Sequence, residues 1–110
     1  MKIYLDTSEK KAVLRLDEKT YEWEADREMA EGIFRFIHDK LVENDAEWGD
    51  ISEIHFMSGP GSFTGLRIGA TVINALADQL GVPLYNHHGE KVEMIIPEYG
   101  RGARITAPRK

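Results

Sequence analysis

A glycine-rich turn between a buried strand and a helix is the feature that most restricts the fold of this chain. Residues 53–57 have the apolar pattern of a buried strand, and they lead directly into Gly-Pro-Gly-Ser-Phe-Thr-Gly at positions 59–65. A helical pattern follows from Leu66 to Leu80, with Gly81 as its expected left-handed C-cap. A strand, a tight turn and a helix in this order predict an α/β domain.

The segments on either side of this unit predict four more strands and one more helix. The apolar run at 2–6 and the alternating patterns at 11–16 and 20–24 predict an antiparallel meander. A first helix is expected from an N-cap at Asp26 to about residue 43, and residues 84–85 predict a short last strand. We therefore expect a mixed sheet of about five strands with two main helices.

Both predicted helices have more apolar surface than one small sheet can cover. The apolar side chains of the first helix span an arc of roughly 160°, whereas a helix that packs on one sheet face needs only about 100°. In the second helix the polar residues form a single narrow line. We therefore expect the two helices to carry a docking surface for another protein. Its expected contact residues are Met29, Ile33, Phe36, Ile68, Val72 and Ala75.

Composition limits the classes of protein to which the chain can belong. Its 110 residues allow one small domain with a single core, and a chain with 42% apolar and 30% charged residues has the composition of a globular protein. The absence of cysteine excludes disulfides, thiolate nucleophiles and cysteine zinc sites. No segment has the apolar length of a membrane span or the pattern of a signal peptide, so we expect no membrane contact and a cytoplasmic location.

The charge of the chain is divided unevenly. The formal net charge is −5, which argues against a body that binds nucleic acid phosphates by itself. Residues 99–110 contain four basic residues and no acid, so their charge is +4 and the preceding residues carry −5 − 4 = −9. We expect an N-terminal lobe over residues 1–92 and a basic C-terminal tail over 93–110. The tail either solubilises the chain or contacts RNA or an acidic partner.

The glycine-rich turn is also the candidate site for an anion. Glycines and the start of a helix both present backbone N–H groups, and such groups can hold a phosphate. No lysine stands where a P-loop requires one, so a structural turn with Ser62 or Thr64 as helix cap remains an equal alternative. The candidate residues are Gly59, Gly61, Ser62, Thr64, Gly65 and Arg67.

Other polar residues give weaker indications of chemistry. Asp6 is the acid to consider if the chain binds nucleotide, but a structural role as the cap of the turn that follows the first strand is favoured. His87 and His88 are adjacent, and in a strand they would point to opposite faces and could not easily ligate one metal ion. A surface or turn role is therefore favoured for both. His38 and His55 have no acidic ligands at a convincing spacing. We therefore predict no catalytic residue and no metal site.

The whole string at 59–69, Gly-Pro-Gly-Ser-Phe-Thr-Gly-Leu-Arg-Ile-Gly, resembles the signature of the TsaB family and, less closely, that of its paralogue TsaD. Residues 5–8, Leu-Asp-Thr-Ser, stand where that family has its opening strand and turn. Residues 81–84, Gly-Val-Pro-Leu, resemble its Gly-Ile-Pro-Leu segment, and residues 96–110 are similar to the tail of many members. The order of strands and helices agrees over residues 1 to about 86.

The resemblance implies a single lobe of the ribonuclease H-like, actin-like ATPase type. Family members normally have two such lobes, and here the second is expected to be missing between Gly89 and Met94. Because nucleotide lies between the lobes in that architecture, one lobe supplies only half of the walls, and we expect no cofactor.

The resemblance further implies a non-catalytic dimerisation subunit of the complex that makes threonylcarbamoyladenosine in transfer RNA. TsaB proteins lack the metal-binding histidine pair of TsaD and pair with TsaD through the helices of the first lobe. The expected partners are a TsaD-like catalytic subunit and, in the bacterial complex, a TsaE-like ATPase, with only indirect contact to tRNA.

Two other functions remain open at this point. One is a small enzyme that binds phosphate or nucleotide through residues 61–65, Arg67 and Asp6. The other is an interaction module whose helices pair in a homodimer, either as its function or when the partner is absent.

Overall fold

The residues that the computed structural model describes, 1–24 and 28–99, form one six-stranded sheet and two helices. The predicted cap at Asp26 and residues 100–110 of the predicted tail lie outside the described residues. A short 3-10 helix, Trp48–Asp50, precedes the fourth strand. The elements are β1 (Lys2–Asp6), β2 (Lys11–Leu16), β3 (Lys19–Glu24), α1 (Met29–Glu43), β4 (Glu53–Phe56), α2 (Phe63–Leu80), β5 (Leu84–Tyr85) and β6 (Lys91–Val92).

The sheet is mixed, and its strand order is β3-β2-β1-β4-β5-β6. The first three strands form the predicted antiparallel meander, while β4 pairs in parallel with both β1 and β5. The α/β class and the single lobe with two main helices are confirmed. The two-residue strand β6 was not predicted, because residues 91–92 are too few to show an alternating pattern.

One face of the sheet packs against both helices and forms the core. Strand residues that point to this face are almost fully buried, and they belong to the same apolar cluster as the buried side chains of α1 and α2. No helix in residues 1–24 and 28–99 is long and apolar enough to cross a membrane. The largest fully buried side chains include those of Ile3, Leu5, Leu14, Ile33, Ile37, Ile54, Phe56 and Ile73.

The opposite face of the sheet carries a row of partly exposed polar and aromatic side chains. In this row the guanidinium of Arg15 lies 5.1 Å from the centre of the Tyr4 ring. The rings of His55 and Tyr85 stack at a centroid distance of 4.6 Å on the next two strands. Aromatic side chains of this face thus make contacts across neighbouring strands.

The prediction that Met29, Ile33 and Phe36 of α1 lie on an exposed docking surface is wrong. Met29, Ile33 and Phe36 are 4%, 0% and 8% exposed, and all three belong to the core. The ring of Trp23 on β3 lies 5.3 Å from the ring of Phe36 and covers the outer edge of the apolar arc. The apolar arc of α1 is wider than one sheet face can cover, and the Trp23 ring covers Phe36 at its margin.

Candidate functional site

The glycine-rich turn packs directly against the end of β1. A Cβ atom on Gly61 would overlap Ser8, and a Cβ atom on Gly65 would overlap the backbone carbonyl of Thr7. A Cβ atom on Gly69, one turn further along α2, would overlap the side chain of Thr7. The Thr7 hydroxyl donates a hydrogen bond of 2.7 Å to the Gly65 carbonyl. These glycines are therefore needed because the first turns of α2 approach the β1 backbone closely.

The turn also uses some of its own polar groups. The Ser62 side chain is the N-cap of α2 and accepts a hydrogen bond of 3.1 Å from the Gly65 N–H. The Ser62 N–H donates to the Ser8 carbonyl at 2.6 Å. This cap explains why α2 begins at Phe63, three residues before its predicted start. Capping and close packing thus account for the motif, and phosphate binding by these residues stays a prediction.

Asp6 caps the turn that follows β1, which confirms the structural role considered for it in the sequence. Its Oδ1 atom accepts hydrogen bonds from the Ser8 N–H at 2.8 Å and from the Ser8 hydroxyl at 2.6 Å. This arrangement is an Asx turn, and it holds Ser8 against the glycine-rich segment. One carboxylate oxygen of Asp6 is therefore already engaged within the protein.

The segment 93–99 packs onto the same turn and onto α2. The Asn74 side chain accepts a hydrogen bond of 2.6 Å from the Ile95 N–H and donates one of 3.1 Å to the Ile95 carbonyl. The Glu98 N–H donates to the Ser58 carbonyl at 2.6 Å. A Cβ atom on Gly59, whose φ is +131°, would overlap the Glu98 carbonyl. This part of the predicted tail is thus held by the lobe.

The exposed side of α2 carries a shallow apolar cavity. Ile68 and Val72 are partly buried and Ala75 is exposed, so these three predicted contact residues do lie at the surface. The Thr71 hydroxyl donates to the Arg67 carbonyl at 2.9 Å, which satisfies this hydroxyl within the helix. The cavity has a volume of about 330 Å³ and is lined by Ala30, Thr64, Arg67, Ile68, Thr71 and Val72.

Four residues of this cavity are not among the predicted contact residues, and two of them, Thr64 and Arg67, are instead candidate phosphate-binding residues. The other two are Ala30 and Thr71. The sequence pattern places Ala30 in the apolar arc of α1 and Thr71 in the polar line of α2. Small side chains give little signal in a hydrophobic pattern, although they allow another helix to approach closely. The small size of Ala30 and Thr71, and not their hydrophobicity, is the feature of the sequence that could have identified them.

The two adjacent histidines lie in a turn at the surface, as favoured, and their rings lie together. They belong to the turn that joins β5 to β6, not to a strand, and their ring centroids are 3.9 Å apart. Glu98 Oε1 lies 3.8 Å from His87 Nε2 and 3.4 Å from His88 Nε2. The sequence did not suggest Glu98, because it stands ten residues beyond His88 in an irregular segment.

Two side chains on the face of the sheet away from the helices have shifted pKa values. Burial raises the pKa of the Tyr4 hydroxyl, and the nearby Asp6 carboxylate adds to this effect. The hydrogen bond between Glu53 and His55, 2.6 Å long, lowers the pKa of the Glu53 carboxyl. Neither shift lies at the α2 cavity or at the histidine turn.

Comparison with known proteins agrees with the resemblance noted in the sequence. Residues 23–92 match the family model described as TsaD: tRNA N6-adenosine threonylcarbamoyltransferase. The chain is 42% identical over 48 residues to the tRNA threonylcarbamoyladenosine biosynthesis protein TsaB of Bacillus subtilis, which covers 44% of this chain and 21% of that protein. It is 37% identical over 65 residues to the tRNA N6-adenosine threonylcarbamoyltransferase of Pyrobaculum calidifontis, covering 58% of this chain and 19% of that protein.

A solved structure shares the fold of the lobe. YeaZ from Pseudomonas aeruginosa superimposes with a TM-score of 0.68 at 28% identity, over 77% of this chain and 42% of YeaZ. The chain thus spans about a fifth of the length of the curated relatives that it matches and about two-fifths of YeaZ. From the matched residues and the shared lobe we conclude that the chain belongs to the TsaD family, tRNA N6-adenosine threonylcarbamoyltransferase, as a TsaB-like protein.

Proposed function

We propose that the chain is a non-catalytic scaffold subunit that binds a TsaD-like catalytic subunit in the complex that adds threonylcarbamoyl to adenosine next to the anticodon of tRNA. The observation that carries this proposal is the partly exposed apolar side of α2, formed by Ile68, Val72 and Ala75. This side lies within the residues that match the family model. A TsaE-like ATPase would join the same complex, and contact with tRNA would be indirect.

The side chains on this face suit the approach of a second helix. Thr64, Thr71 and Ala75 are small, so a partner helix can come within the 8–10 Å or so at which helices pack. Because the Thr71 hydroxyl is bonded within α2, its burial in an interface leaves no donor unpaired. We call Ile68, Val72 and Ala75 the apolar stripe of α2. Arg67 and Asp78 are exposed beside this stripe and would lie at the polar rim of an interface.

The internal use of the glycine-rich turn supports a scaffold more than a nucleotide-binding enzyme. Gly65 is required for contact with β1, and Asp6 and Ser62 make hydrogen bonds within the protein. An enzyme that held phosphate here would need these groups for its ligand. Binding of ATP to the isolated chain at micromolar concentration would favour the enzyme instead.

The test compares two aspartate substitutions on the two helices. Val72→Asp places a charge in the stripe of α2, whereas Val42→Asp places the same charge on α1, where Val42 is already 55% exposed. We expect Val72→Asp to weaken binding to the TsaD-like subunit of the same cell by more than about tenfold, because a buried unpaired charge is costly in an interface. The control should bind like the wild type.

Isothermal titration calorimetry with the two purified proteins measures this difference, and circular dichroism checks that both variants are folded. Equal binding by wild type and Val72→Asp would contradict the proposed surface. Absence of any complex with the wild-type chain would contradict the proposed function.

The same stripe allows the alternative of a homodimer, because two copies of α2 could cover each other. Sedimentation velocity of the chain alone and with the TsaD-like subunit separates the two cases. A chain that is monomeric alone and forms a mixed complex supports the scaffold. A stable homodimer that the TsaD-like protein does not dissociate supports the interaction module.

A further inference from the structure

A cross-strand row of planar and basic side chains runs over the sheet face that the two helices leave open. The strand registers place Arg15 opposite Tyr4 and Tyr4 opposite His55. Tyr85 and Lys91 continue the row on β5 and β6. All five side chains are partly or largely exposed. Since neighbouring strands lie about 4.8 Å apart, side chains in such a row can stack, and the row presents ring faces and positive charge at one surface.

The row contains two stacks, and a cavity lies against both. The guanidinium of Arg15 lies 5.1 Å from the centre of the Tyr4 ring, and the rings of His55 and Tyr85 are 4.6 Å apart at an interplanar angle of 14°. Side chains from both stacks line a cavity of about 240 Å³ over β1, the strand between β2 and β4. A ligand in this cavity would therefore touch one ring of each stack. The lining residues are Lys2, Tyr4, Arg15, Asp17 and His55.

Arg15 is the cation in this cavity that is placed to receive an acidic group. On the same strand Lys11 forms a salt bridge of 3.3 Å with Glu22, whereas Arg15 has the face of the Tyr4 ring as its neighbour. Stacking uses the flat face of a guanidinium and leaves the N–H groups in its plane to donate. Arg15 can therefore donate two parallel hydrogen bonds to a carboxylate or a phosphate.

The walls of the cavity are held by contacts within the lobe. The Lys2 N–H donates a hydrogen bond of 2.9 Å to the Asp17 carboxylate, and the Asp17 N–H donates one of 2.9 Å to the Lys2 carbonyl. These two bonds join the β2–β3 turn to the start of β1. On the opposite wall, a hydrogen bond of 2.6 Å between His55 Nε2 and Glu53 Oε2 orients the imidazole. Binding would thus require little rearrangement, which favours affinity.

We propose that this cavity binds a small planar aromatic molecule that carries one acidic group, a phosphate or a carboxylate. The ring of the ligand would rest against Tyr4 and His55, and its acidic group would accept hydrogen bonds from Arg15. The ammonium group of Lys2 would add positive charge at the edge of the cavity. The cavity is smaller than the roughly 300–1,000 Å³ of sites for drug-sized ligands, so it suits one ring system with a short acidic arm.

The charges around the cross-strand row favour a single acidic group over a nucleic acid strand. Asp6 and Glu22 lie on the same open face on one side of the row, and Asp17 and Glu53 lie on the other. A chain of phosphates that crossed the row would meet these carboxylates, whereas a ligand with one acidic group needs only Arg15. The cavity is on the face opposite the helices, so this inference does not rest on the proposed scaffold function.

Amide NMR spectra of the isotope-labelled 110-residue chain test the proposal. The probes are adenosine monophosphate and indole-3-acetate, which share a planar ring and differ in the acidic group. We expect saturable shifts at amides of β1, β2 and β4 with at least one probe, with a dissociation constant of about 0.1–1 mM. Binding of the phosphate alone would identify a nucleotide as the class of ligand, and binding of the carboxylate alone would identify an aromatic acid.

Substitutions separate the contribution of the charge from that of the ring. Arg15→Gln should weaken binding about tenfold or more, while Arg35→Gln, which removes an exposed arginine of α1, should leave it unchanged. Tyr4→Phe keeps the ring and should bind like the wild type. Tyr4→Leu should weaken binding by about three- to tenfold, because it removes the ring on which the ligand stacks. Circular dichroism checks that each variant is folded.

Neutral analogues complete the test. Adenosine and indole lack the acidic group and should bind about tenfold more weakly than the two probes, or not at all. The proposal is overturned if neither probe gives saturable shifts, if Arg15→Gln binds as tightly as the wild type, or if the neutral analogues bind as well as the acids. Shifts confined to residues 61–65 would also overturn it, because they would place the ligand at the glycine-rich turn.

Discussion

The predicted contact residues of helix α1 are covered by the rest of the lobe, although Phe34 and Val42 of that helix are exposed, whereas the predicted contact residues of α2 keep part of their apolar surface open. Trp23 of β3 lies on Phe36 and also against Gly32, where a Cβ atom would overlap the indole ring. On α2 the glycines face β1 instead, and they let the helix approach the sheet from one side only. Glycine on each helix therefore marks a side that packs closely against the rest of the lobe. A wide apolar arc alone does not reveal an interface.

The largest expected effect is on α1. Phe36→Ala should lower the free energy of unfolding by about 3–5 kcal/mol, because it removes a buried ring and leaves a cavity beside Trp23. Val72→Ala on α2 should cost only about 1 kcal/mol or less, since this side chain is partly exposed already. Urea denaturation monitored by circular dichroism measures both. A similar cost for the two changes would remove the contrast between the helices.

A second, smaller effect should appear where α2 meets β1. Glycine to alanine within a helix normally gains up to about 1 kcal/mol, but Gly65→Ala should lose about 1–3 kcal/mol, because the new methyl group meets the Thr7 carbonyl. Gly49→Ala is the control, because no atom lies within 4 Å of the position that its Cβ atom would take. The control should stay within about 0.5 kcal/mol of the wild type. A stabilised Gly65→Ala variant would show that α2 does not need this close contact.

The parts of the fold that depend on local pattern were predictable from the sequence. The alternation in residues 11–16 and 20–24 identified the meander, and the glycine-rich string identified the turn and the helix that follows it. The C-cap at Gly81 was also predicted correctly, with a left-handed φ of +66°. Local periodicity records which side of an element is buried, so these elements could be found without knowing their neighbours.

The surface could not be predicted in the same way, because burial of one element depends on side chains far away in the sequence. Nothing around Phe36 indicates that Trp23 will cover it. Similarly, the adjacent histidines are brought together by an Asx turn at Asn86, and Glu98 reaches them through a backbone contact with Ser58. Contacts between residues that are distant in the sequence depend on the three-dimensional arrangement, and they produce no periodic pattern in the sequence.

A third prediction concerns the segment that α2 holds on its surface. Asn74→Ala removes both hydrogen bonds to the Ile95 backbone and should release residues 93–99 at a local cost of about 1–3 kcal/mol. Hydrogen exchange read by mass spectrometry should become faster in peptides that contain residues 93–99 and stay unchanged in α1. Asn44→Ala, which removes a different asparagine contact to Tyr21 of β3, serves as the control. Unchanged exchange in Asn74→Ala would mean that Ile95 is held by its burial alone.

The smallest effect is expected on the face of the sheet that neither helix covers. The hydrogen bond to His55 keeps the pKa of Glu53 below its usual value of 4.5, so the pair stabilises the fold above that pH. This contribution is lost as the pH falls through the lowered pKa of Glu53. His55→Phe keeps a ring to stack on Tyr85 but removes the hydrogen bond, and it should return the pKa of Glu53 toward 4.5. Carbon-detected NMR titration of the Glu53 carboxyl measures this change. If the pKa stayed low in His55→Phe, the general attraction of Lys2 and the N-terminus would have to explain it, and added salt would then raise it.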